Sequence, residues 1–73
     1  MINWIDFREK QPEKADGFMK MCIVHIHYRY KDQWQEANVY DWFDESKMEW
    51  LENDNDIVTH WFYADDIPYP QIN

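Results

Sequence analysis

The chain has 73 residues with seven basic and fifteen acidic side chains, a net charge of −8. That length holds one core and excludes a second, so residues 1–73 are read as a single small domain. Five Trp, five Tyr and four Phe within an apolar content of 45% exclude an intrinsically disordered chain.

Cys22 is the only cysteine, which rules out an intramolecular disulfide and fits a reducing compartment. The first residues lack the basic region and apolar run of a signal peptide. No apolar run approaches the ~20 residues needed to cross a bilayer. The expectation is a soluble, cytoplasmic protein. The charge is uneven: residues 1–31 hold six bases against four acids, a balance of +2, whereas residues 32–73 hold only Lys47 against eleven acids, a balance of −10. Such a half repels phosphate backbones and favours basic protein surfaces, or simply solubilises the fold.

Residues 1–7 read as a short strand with Trp4 and Ile5 as its apolar content. Residues 8–17 are polar, contain Pro12 and end in the only glycine, so they form a loop; Asp16-Gly17 is a turn dipeptide, and Gly17 is expected at positive φ. Residues 18–31 carry the clearest pattern. Phe18, Cys22, Val24, Ile26, Tyr28 and Tyr30 occupy alternate positions interrupted only by Lys20, while the other row passes from Met19, Met21 and Ile23 to His25, His27 and Arg29. Period two over this length predicts a strand with one core face.

A reversal at residues 31–33 returns the chain as a second strand over 34–43, which makes a hairpin. Ala37, Val39 and Phe43 share one side; Trp34, Tyr40 and Trp42 share the other. Residues 44–53 fit two readings. Asp44 can cap a short helix containing Met48, Trp50 and Leu51, or residues 48–52 alternate as a short strand, and the strand is preferred. Residues 53–56 form an Asn/Asp turn cluster before a last strand at 57–63. The expected fold is mainly β, a small antiparallel sheet of four to five strands; the alternative is α+β with one short helix near 44–53.

The two ends of the chain carry a pattern. Trp4-Ile5, then Pro12-Glu13, then Val58-Thr59-His60-Trp61 with Pro68 and Pro70 behind it, resembles a small family of unknown function widespread in tailed phages and prophages. The tail departs from that family, because Phe62-Tyr63-Ala64-Asp65-Asp66 stands where an apolar residue followed by Pro-Leu-Pro is usual. The middle matches only as a pattern of strands. The resemblance implies a phage origin and a compact β-rich fold. It brings no chemistry to carry over.

His25 and His27 share a strand face about 6.5–7 Å apart. With His60 they suggest a zinc site, but Cys22 has the opposite parity and no second Cys pair or His-Glu-x-x-His helix accompanies them. No metal and no cofactor is expected. His60 reads either as a general base beside Asp65 or Asp66, or as a structural ring bonded to backbone and packed by Trp4 or Trp61; the structural reading is preferred. Cys22 and Ser46 lack a nucleophile motif. One glycine excludes a phosphate-cradling loop, and Lys20, Arg29 and Lys31 are too few for direct nucleic-acid binding.

The acidic series is the remaining candidate: Asp41, Asp44, Glu45, Glu49, Glu52, Asp54, Asp56, Asp65 and Asp66, with Trp50 as an aromatic anchor. Carboxylates on alternate strand positions recur every 6.5–7 Å or so, close to a phosphate repeat. Interleaved with Trp42, Trp50 and Tyr63, they suggest a nucleic-acid mimic. The expected function is a non-enzymatic phage accessory protein that binds a basic, nucleic-acid-binding host protein, such as an anti-restriction or anti-CRISPR inhibitor. The alternatives are a homodimeric assembly module that pairs strand edges, and a small His-centred enzyme.

Overall fold

The computed structural model describes residues 2–13 and 17–72. The fold is mainly β, built from five antiparallel strands: β1 (Ile5–Asp6), β2 (Met21–Tyr30), β3 (Gln33–Asp44), β4 (Glu49–Trp50) and β5 (Val58–Tyr63). They form one sheet in the order β1-β5-β2-β3-β4. A 3₁₀ turn at Ala64–Asp66 follows β5. Residues 44–53 therefore take the strand alternative, as a two-residue β4 between turns, and no α-helix forms there.

The β2–β3 hairpin is the largest unit, in register from Tyr30↔Gln33 to Met21↔Trp42. Its two-residue tip holds Lys31 at φ 49° and Asp32 at φ 62°. Positive φ at both positions gives the tip the twist that matches two right-twisted strands, even without glycine. Gly17 also lies at positive φ, 80°; Asp16 of the same turn dipeptide, like Met1 at the start of the expected first strand, falls outside the described residues.

Alternation on β2 works as the sequence indicates: Cys22, Val24 and Ile26 are buried. The ends of that row are different, because Phe18 is 76% and Tyr30 58% exposed. The reason is cover, since β5 pairs β2 only from Cys22 to Ile26. The first strand is likewise shorter than residues 1–7, being limited to Ile5 and Asp6 where they meet Trp61 and His60.

The sheet curls into a half-barrel, and its two edges meet through aromatic rings. Phe7, just past β1, lies 5.7 Å from Phe43 and 5.4 Å from Trp50 on the far edge, and Phe43 packs edge-on to Trp50 at 5.1 Å. With Val24, Ile26, Val58 and Trp61 these rings form the core. Tilted and edge-on aromatic pairs add to the area they bury.

Trp61 ties the two chain ends together. It is fully buried, it pairs with Ile5 on one side and Val24 on the other, and its Nε1–H donates to the Lys10 carbonyl at 2.8 Å. Next on the same face, the Tyr63 hydroxyl accepts the Glu13 N–H at 3.0 Å. The Pro12 segment is thus held against β5 by two side chains that also serve the core. Trp61→Phe keeps an aromatic ring but removes the indole donor and part of the volume. It should lower unfolding free energy by about 2–4 kcal/mol in urea titration and make the 8–13 loop an early site of limited proteolysis.

Candidate functional site

The structure divides the acidic series instead of assembling it on one face. Asp41 shares the inward parity of Ala37, Val39 and Phe43 and is fully buried. One of its carboxyl oxygens accepts the N–H groups of Trp42 (2.7 Å), Leu51 (3.1 Å) and Glu52 (3.0 Å); the other accepts the Asn53 N–H (3.0 Å) and side-chain amide (2.7 Å). Asp41 is therefore no surface contact. It is the post to which the loop after β4 is tied. Trp50, only 4% exposed, is a core residue for the reason given above, its ring lying between Phe7 and Phe43.

Asp44 is half-buried and belongs to the β3–β4 turn, where the Ser46 N–H (2.9 Å) and hydroxyl (2.6 Å) both reach its Oδ1. Those bonds hold the Asp44 carboxyl below the usual carboxylate range. Asp65 pairs with Lys20 at 3.0 Å beyond the end of β5. Asp66 is exposed, while Glu45 is half-buried. What remains as an uninterrupted exposed group is Glu49, Glu52, Asp54 and Asp56.

These four do not lie along one strand. Glu49 is on β4, whereas Glu52, Asp54 and Asp56 follow in the connection to β5. The strand repeat that suggested a phosphate ladder does not apply to them. Rigidity takes its place. Asp41 fixes residues 51–53, and Asn55 accepts the Trp50 N–H at 3.1 Å while its amide donates to the Met48 carbonyl at 2.8 Å. The Asp54 carbonyl accepts the Ile57 N–H at 3.1 Å, closing the expected turn. An acidic loop of this kind is braced from inside by the sheet that carries it.

The histidines form a second cluster on the outer face. Here β5 contains a bulge: His25 pairs with His60 but Ile26 pairs with Val58, leaving Thr59 as the extra residue. Thr59 Oγ1 lies 2.6 Å from His25 Nδ1 and 3.0 Å from His60 Nδ1. His25 Nε2 lies 3.0 Å from a Glu36 carboxyl oxygen. A hydroxyl has one proton, so it donates to one ring at most. Thr59 Oγ1 is also placed to donate to the His25 carbonyl at 3.3 Å, so the hydroxyl joins both rings and the β2 backbone.

The arrangement pins β2 to β5. His60 bonds a hydroxyl instead of the backbone, and no Asp65 or Asp66 carboxylate takes part. Trp4 packs on Phe62 at 4.8 Å and on His25 at 6.2 Å, walling a shallow hollow of about 320 Å³ over His25, Asn38 and His60. His27 is separate, stacked on Trp34 at 4.6 Å. Among the described residues, no three His, Cys, Asp or Glu side chains are placed to share a metal ion.

A larger groove of about 640 Å³ lies where the N-terminal segment faces the β4–β5 connection, with Arg8 and Gln11 across from Asp56. Arg8 is turned back onto Asp6, with a 2.9 Å contact to its carboxylate, and that bonding holds the Asp6 carboxyl down at about 2.

Cys22 is fully buried opposite Asp41, and burial, helped by that neighbouring carboxylate, pushes its thiol up to about 12. It is no nucleophile in the folded state. Comparison with protein-family models, curated proteins and solved structures finds no match to the chain. Among the described residues, no helix is long and apolar enough to cross a membrane.

Two outcomes follow from the buried pair. Asp41→Asn turns an amide donor toward N–H donors, and should cost about 3 kcal/mol or more in denaturant unfolding with faster amide exchange at residues 51–53. The Cys22 thiol, ordinarily near 9.0, should resist iodoacetamide at pH 8 until the protein is unfolded. Because the unfolded thiol ionises first, stability should fall as pH rises from 9.0 toward about 12, and Cys22→Ala should remove that slope.

Proposed function

We propose that the protein is a non-enzymatic binding module whose acidic loop, Glu49, Glu52, Asp54 and Asp56, docks on a basic protein surface. The observation that carries this reading is the brace. Among these four exposed carboxylates the backbone is held at residues 51–53 by the buried Asp41 carboxyl, and on either side by the Asn55 side chain and the Ile57 N–H to Asp54 carbonyl bond, so little order has to be gained on binding. Exposed charges arranged this way speed encounter and select partners of opposite sign.

The finer proposal is a phage accessory protein of the host cytoplasm that inhibits a nucleic-acid-binding defence factor, in the manner of an anti-restriction or anti-CRISPR inhibitor. It is supported by the family resemblance of the chain ends and by the −10 balance of residues 32–73. Asp66 and the half-buried Glu45 extend the charge toward the β3–β4 turn and the far end of β5.

Affinity capture from host lysate, followed by mass spectrometry and titration of the captured protein, tests both levels. The partner should carry a basic nucleic-acid-binding groove, and DNA or RNA should compete with this protein for it. Binding should weaken as ionic strength rises above 0.15 M or so. It should fall roughly tenfold or more in the combined Glu49→Gln, Glu52→Gln, Asp54→Asn, Asp56→Asn variant. Affinity unchanged by salt and by the fourfold variant refutes the acidic loop as the docking element.

A further inference from the structure

Strand β3 is twelve residues long and pairs with β2 over ten of them, but on its other side β4 covers only Phe43 and Asp44. Beyond that cover, the Trp42 carbonyl accepts the Leu51 N–H at 2.9 Å. Residues 33–40 are left with an open edge. In a two-residue hairpin the pair flanking the tip is hydrogen-bonded, and bonded and non-bonded pairs then alternate. Counting from Tyr30↔Gln33, the odd residues of β3 turn their N–H and C=O groups toward β2. Trp34, Glu36, Asn38 and Tyr40 turn theirs outward. All four are exposed, and among the described residues none of these outward backbone groups has a partner.

A free edge of this length is a template for another strand. Glu36 is the only charged side chain from Gln33 to Tyr40, and Trp34 and Tyr40 are 61% and 63% exposed on the same face. We propose that the occupant is a second copy of this chain, paired antiparallel along β3 about a two-fold axis at Ala37, so that two half-barrels share one continuous sheet.

The register follows from the residues. Centring on Ala37 sets Trp34 opposite Tyr40 of the second copy and Glu36 opposite its Asn38, each twice by symmetry. All four are outward-bonding residues, so every free N–H and C=O of the edge finds a partner. Two Trp–Tyr cross-strand pairs form, and no carboxylate faces another. Ala37 meets its own copy as a non-bonded pair, with Cα atoms about 4.5 Å apart. The hairpin tip of each copy then reaches the β4 side of the other, bringing Arg29 and Lys31 toward the acidic loop that starts at Glu49. Neither base has a carboxylate partner in its own chain among the described residues. Asp32 at the same tip offsets one of these bases, so backbone hydrogen bonding and the two Trp–Tyr pairs, not charge, select this register.

Two variants, one at the exposed Asn38 and one at the small, half-buried Ala37 beside the core, test the register. Ala37→Cys should form an interchain disulfide under mild oxidation, seen as a covalent dimer on a non-reducing gel, because the Cα spacing suits one while the buried Cys22 stays unreactive. Asn38→Glu sets two pairs of like charges across the axis and should weaken dimerisation by about tenfold; Asn38→Lys should leave it intact or tighten it. Sedimentation over a concentration series should give a species of twice the 9.2 kDa chain mass for the wild type, with circular dichroism confirming the fold of each variant. A wild-type chain that stays monomeric throughout overturns the proposal. So does a dimer in which Ala37→Cys does not cross-link and Asn38→Glu has no effect.

Discussion

The fold depends on one indole. Trp61 lies in the strand that joins β1 to the β2–β3 hairpin, has no exposed surface, and bonds the Lys10 carbonyl. Without it the N-terminal segment relies on the Tyr63 hydroxyl and the short β1–β5 pairing, with the Phe7 N–H on the Thr59 carbonyl, to hold Phe7 near Phe43 and Trp50. A chain of this size buries only roughly 60% of its unfolded surface, so single large side chains that serve several contacts at once matter more than in a larger domain. Trp4-Ile5, the Pro12-Glu13 segment and Val58-Thr59-His60-Trp61 are parts of one contact region, with Ile5 against Trp61 in the sheet and Glu13 against Tyr63.

Asp41 plays the corresponding part at the other edge. The two-residue β4 is too short to organise the acidic residues after it. Five donors converging on a buried carboxyl do so instead. One acid inside the protein thus decides where several acids outside it stand. The outer face follows a different principle: the bulge at Thr59 draws two imidazoles and, through His25, the Glu36 carboxylate into one polar cluster. A glutamate bound in that way is drawn in over its own sheet.

Strong alternation was legible in the residues, and weak alternation was not. Cys22, Val24 and Ile26 announce a buried row, and residues 31–33 a reversal, which the structure narrows to the two-residue tip Lys31-Asp32 with Gln33 already in β3. The role of Asp41 was also within reach, because it shares parity with Ala37, Val39 and Phe43, but an acid invites a surface reading and four of the five donors that reverse it come from residues 51–53, about ten residues further along the chain. Trp50 was misplaced for a similar reason: nothing local tells an anchor on the surface from a ring clasped by Phe7, which lies more than forty residues earlier. The Thr59 bulge has no glycine to mark it. Pairing with β2, not local composition, produces it.

The sheet order has a temporal side. β1 is made first but its neighbour is β5, and Ile5 waits for Trp61, more than fifty residues later in the chain. During synthesis the β2–β3 hairpin can close early through local contacts, while Trp4, Ile5 and Phe7 remain unpaired apolar groups until the last strand has emerged. Contacts so far apart in sequence slow the final step of folding. The nascent chain is therefore most open to misassociation in the interval before its last strand docks, and eight of the acids that follow Asp32 precede that strand. Repulsion between like-charged copies opposes association of the unfinished chain.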